Sequence, residues 1–66
     1  MNISRSIKLA LVYRDMKGQD LAEKLGVSPA YISGIVTGKR VPSLDRLQTI
    51  SKELDYDLSE FIALGE

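Results

Sequence analysis

Cysteine and histidine are both missing from these 66 residues, and each absence removes a class of chemistry. Without cysteine there is no disulfide framework and no thiolate metal site, a composition that suits a reducing compartment. Without histidine the chain lacks the commonest metal ligand and the commonest general base. Long apolar runs are missing too. Nothing approaches the roughly 18 consecutive apolar residues that a membrane span requires. Ser4, Arg5, Ser6 and Lys8 interrupt the first eleven residues, so no secretion signal is read there and a cytoplasmic protein without membrane association is expected. Repeats and low-complexity segments are absent as well. One domain spanning 1–66 is expected. A chain this short buries only about 60% of its unfolded surface, so its core is expected to lean on efficient packing or a second subunit.

Net charge is also nil, nine basic residues against nine acidic ones, which taken alone speaks against a nucleic-acid partner. The distribution says otherwise. Residues 1–46 hold eight Lys or Arg and four acids, whereas 47–66 hold one Lys and five acids. A chain polarised in this way can turn a positive side toward phosphates and its acidic end away from them.

Apolar residues recur at helical spacing along nearly the whole chain, and no stretch alternates with period two for long. A first helix is expected over about 3–16, with Ile3, Ile7, Ala10, Leu11 and either Tyr13 or the stem of Arg14 facing inward. A second runs from Gly18 to Leu25 and stops at Gly26, where a left-handed residue is cheap. Ser28-Pro29 is an N-cap followed by proline at the first helical position, opening a third helix that reaches Thr37 and stops at Gly38. Ser43 caps a fourth helix with Leu44, Leu47, Ile50 and Leu54 as its apolar stripe. Asp57 and Glu60, three apart, form an acidic capping box for a fifth helix carrying Leu58, Phe61, Ile62 and Leu64.

The informative stretch is GQDLAEKLGVSPAYISGIVT, residues 18–37. Two short helices joined by a tight turn pack at a steep angle only if several requirements are met together. Leu21, Leu25, Val27, Ile32 and Ile35 supply the apolar faces. Ala22 sits at the crossing, where a larger side chain would push the helices apart, and Gly26 makes the turn. Seven suitable residues in twenty positions form a specific pattern.

With LAEKLGVS (21–28), YIS-x-I (31–35) and GKRVPS (38–43), the chain resembles the Cro/C1-type (XRE) helix-turn-helix family of bacterial and phage repressors, from about Ile7 to Ile62. The resemblance implies an all-α fold, a compact five-helix bundle of the lambda-repressor-like type with its helix-turn-helix at helices 2 and 3. It also implies a homodimer on a double-stranded DNA operator, the third helix lying in the major groove. Base-reading residues would then be Ser28, Pro29, Ala30, Tyr31, Ser33, Gly34 and Thr37. This set is poor in the forked side chains that make bidentate base contacts. Pro29 and Ala30 would pack on thymine methyls, the hydroxyls would hydrogen-bond, and Gly34 would let backbone approach DNA, with DNA shape adding specificity. Phosphate contacts fall to Lys39 and Arg40, then Lys17 and the Tyr31 phenol, with Arg14 and Arg46 behind them. Phe61, Ile62 and Leu64 are the expected dimer contacts.

Three positions depart from the family pattern. Gly18 replaces a frequent Gln and Leu11 a frequent Arg, which removes backbone contacts and makes dimerisation more necessary. Val36 replaces a frequent Glu, which bears on local packing. A chain this short leaves no room for an inducer domain, so no cofactor and no small-molecule effector are expected. The competing reading is a protein-interaction module on the same fold, antitoxin-like or anti-repressor. Enzymatic activity is not expected, because Ser and Asp are accompanied by no His, Cys or metal-ligand cluster and so compact a bundle leaves little room for a pocket.

Overall fold

The computed structural model describes residues 2–66, which form five α-helices: α1 (Ile3–Tyr13), α2 (Gly18–Leu25), α3 (Pro29–Val36), α4 (Leu44–Glu53) and α5 (Leu58–Leu64). Each helix starts where a polar side chain accepts an otherwise unpaired amide. The Asn2 side chain accepts from Arg5 N–H at 3.0 Å, Ser28 Oγ from Tyr31 N–H at 3.3 Å and Ser43 Oγ from Arg46 N–H at 3.3 Å. In α2 and α5 the acceptor is a carboxylate reaching back. Asp20 takes the Lys17 amide at 3.0 Å, and Glu60 takes the Asp57 amide at 3.2 Å, as the Asp57/Glu60 spacing implies.

The first four helices end alike. A residue with positive φ follows each one, and two backward hydrogen bonds satisfy the last carbonyls. Gly26 (φ 70°) and Gly38 (φ 82°) serve α2 and α3, as expected, but Asp15 (φ 54°) and Asp55 (φ 63°) do the same for α1 and α4. This is why α1 stops at Tyr13 and not near residue 16. Asp15 turns left-handed, and Met16 N–H returns to Leu11 O at 2.9 Å. Aspartate is one of the few side chains that tolerates this conformation.

All five helices contribute to one core made of Ile7, Ala10, Leu11, Leu21, Ala22, Ile32, Ile35, Leu47, Ile50, Leu54 and Phe61. Against the core face expected for them, Tyr13 and Leu44 are each 62% exposed, Tyr13 on the final residue of α1 and Leu44 on the first of α4. Helix α1 packs on α3 and α5, α2 on α3 and α4, and α4 on α5. Two ties reach across the chain from α1: the Ser4 hydroxyl donates to the Val36 carbonyl at the end of α3, and buried Ser6 donates to Ile62 O at 3.3 Å. Gly65 closes on the same place, since a Cβ there would overlap the Asn2 carbonyl oxygen. No described helix is long and apolar enough to cross a membrane.

Candidate nucleic-acid interface

The turn between α2 and α3 is built by local rules. Gly26 turns left-handed, Val27 N–H returns to Ala22 O at 3.0 Å, and Ser28 caps α3 immediately afterwards. Ala22 is wholly buried on α2, which packs on α3 and α4. Ile32 and Ile35 then fix the rotation of α3 by pointing into the core. The opposite face stays in solvent: Ser28, Pro29, Ala30, Ser33 and Thr37 are all exposed, and none has a side chain longer than three heavy atoms. Thr37 spends its hydroxyl proton inside its own helix, on Ser33 O at 2.9 Å and Gly34 O at 3.2 Å, leaving its oxygen as an acceptor.

Two members of the expected base-reading set sit differently. Tyr31 is half-buried at the edge of α3, its ring packed on the core. Gly34 is half-buried as well, and the space outside its Cα is taken. A Cβ built on Gly34 would lie 3.0 Å from Arg40 Cδ and 3.2 Å from Arg40 Cγ. The stem of Arg40, and not open space for a DNA backbone, covers that position.

Among the expected phosphate ligands, Lys39 and Arg40 are exposed directly after α3. Both amides return to Gly34 O, at 2.8 and 3.1 Å, which holds the loop against the helix. The Arg40 guanidinium carbon lies 5.7 Å from the centre of the Tyr31 ring, and that of Arg46 lies 5.5 Å from the same ring. One phenol thus carries two cations, and cations over a ring face are attracted by its quadrupole. By sequence Arg46 stands behind Lys39 and Arg40 as a phosphate ligand. The ring partner comes from another helix and has no signal in the spacing along α4. Lys17 is exposed ahead of α2 but shares an open groove with Asp15 and Asp20, which dilutes its positive field.

Arg14 is held against α4. Its Nε donates to Leu54 O at 2.9 Å and its guanidinium to Asp55 O at 3.1 Å, and it lies 4.2 Å from the Tyr56 ring centre. It serves as a brace on the end of α4, where free carbonyls and a cation complement each other.

The expected dimer contacts also divide. Phe61 is corrected: its side chain has no exposed surface, because its place on α5 points straight into the core, so it has nothing to offer a partner. Leu64 is half-buried and packs on that core, while Ile62 is half-buried on α5 outside it. Outside the expected set, Val12 (71% exposed) and Tyr13 on α1 are large apolar side chains in solvent.

Three acids of the C-terminal third, Asp55, Asp57 and Glu60, line a shallow groove between α4 and α5 together with Lys52 and Tyr56. A family model described as Helix-turn-helix matches residues 7–61, which contain the turn, the exposed face of α3 and the cations behind it. No curated protein and no solved structure matches the chain.

Proposed function

The chain belongs to the Cro/C1-type helix-turn-helix family, and from that premise we propose that it is a transcriptional regulator, a repressor, that binds operator DNA as a homodimer in the cytoplasm. The observation that carries this reading is the face of α3. Five exposed small residues (Ser28, Pro29, Ala30, Ser33 and Thr37) follow a capped tight turn, and cations stand directly behind them. Small side chains let the helix sink deep into a major groove, where serine and threonine oxygens meet base edges and Pro29 and Ala30 meet thymine methyls. Lys39, Arg40, Arg46 and Lys17, with the Tyr31 phenol, supply the charge that holds the helix against phosphates. Ile62 and Leu64 on α5 are the proposed contacts between subunits.

The test is a titration against the DNA flanking the gene, with scrambled DNA as control, at two or more salt concentrations. Preference for the native fragment that weakens with salt is the expected result. Lys39→Ala should flatten the salt slope by about one counterion per subunit without changing which sequence is preferred. Should flanking DNA show no preference, a selection from random duplexes decides. An empty selection would replace the regulator by the competing reading, a protein-interaction module, whose support is the exposed apolar pair Val12 and Tyr13.

A further inference from the structure

The exposed face of α3 has a deficit. Its outward residues are serine, proline, alanine, glycine and threonine, and none carries the planar fork that reads guanine or adenine bidentately. A long side chain does lie across this helix at Gly34, and it belongs to the loop that follows it. Arg40 crosses α3 at Gly34, with Cδ, Cγ and Nε 3.0, 3.2 and 3.4 Å from where a Cβ would stand. Three features hold it there. The Lys39 and Arg40 amides both bond to Gly34 O, so the loop returns to the helix at that level. The Tyr31 ring, one turn earlier, faces the guanidinium at 5.7 Å. Gly34 itself leaves the gap through which the stem passes.

From this placement we propose that Arg40 is the guanine-reading side chain of this protein, delivered onto the recognition helix by the loop, and that Gly34 is the residue that positions it. This deepens the regulator reading and rests on it. An arginine that only neutralised phosphate would need no groove along the helix, because phosphates are reached by any cation on a flexible stem. A fork for N7 and O6 of guanine must be held in a fixed orientation, and the stem lying across Gly34 against the Tyr31 ring provides that restraint.

The experiment is a selection from random duplex DNA with the full chain, run for the wild type, Arg40→Lys and Gly34→Ala, with salt titrations of each on non-specific DNA. The wild type should enrich sites with one fixed guanine in each half. Arg40→Lys keeps the charge and should keep the salt slope, while the preference for that guanine falls by about ten-fold or more. Gly34→Ala favours the helix, so folding should survive, whereas the new methyl presses on the Arg40 stem at 3.0 Å from Cδ and shifts it from its seat. It should weaken the preference for the same guanine and for no other position. Circular dichroism and thermal melting confirm that both variants fold, and Arg40→Lys carries the test alone if Gly34→Ala does not. If Arg40→Lys retains the guanine, the proposal falls while the regulator reading stands. If the wild type enriches no sequence at all, both fall together.

Discussion

At the scale of single residues, the four left-handed positions make the same demand and meet it with two chemistries. Gly26 and Gly38 adopt positive φ at no steric cost, whereas Asp15 and Asp55 hold it against their own Cβ atoms. Asp55→Gly should therefore stabilise the protein by roughly 0.5–1 kcal/mol, and Gly26→Ala should destabilise it by about 1–2 kcal/mol. Urea denaturation of the pair reads both signs. Equal and opposite shifts are not expected, because glycine at 55 also gains freedom in the unfolded chain, which offsets part of the relief. These stops show where single residues resist prediction: a glycine after an apolar run announces a helix end, but an aspartate there equally suits a cap, a turn or a solvated face.

At the scale of elements, the helix starts are governed by neighbours three residues away. Ser28 illustrates the consequence: its oxygen takes the Tyr31 amide and thereby sets where the recognition helix begins. Ser28→Ala should cost about 1 kcal/mol of stability, checked by thermal melting, and Ser28→Asp should restore most of it while weakening any hold on DNA phosphates. Opposite effects on folding and on DNA binding in one variant separate the capping role from the contact role. The ends of α1 and α4 are joined differently, since Arg14 clamps the last carbonyls of one helix from the end of another. Its i to i+40 reach lies outside any local pattern.

At the scale of the whole molecule, the core is complete without a partner, because Phe61 fills its own subunit and the C-terminal end is tied to α1 through Ser6 and Gly65. Surface left over at Ile62 is what a second copy would cover. Ile62→Glu should thus leave the fold intact, shift sedimentation toward the monomer and steepen the protein-concentration dependence of DNA binding. Analytical ultracentrifugation with and without DNA checks it. A variant that sediments like the wild type would move the subunit contact elsewhere, to the exposed apolar residues Val12 and Tyr13 first.

What the sequence determined by itself was everything that depends on close neighbours. Five helices, their polar starts at Ser28 and Ser43, the glycine stops at 26 and 38, and the helix-turn-helix over 18–37 all follow from periodicity and from contacts a few residues apart. The family match over 7–61 stands on the same signals. Tertiary structure decided where long side chains end up. Arg14 became a brace on α4, Arg46 found Tyr31, Arg40 filled the space at Gly34, and Phe61 turned inward. The physical reason is reach. Caps and turns are settled by energies local to one stretch of chain, whereas a flexible stem or an apolar ring settles wherever distant helices leave a carbonyl, a ring face or a gap.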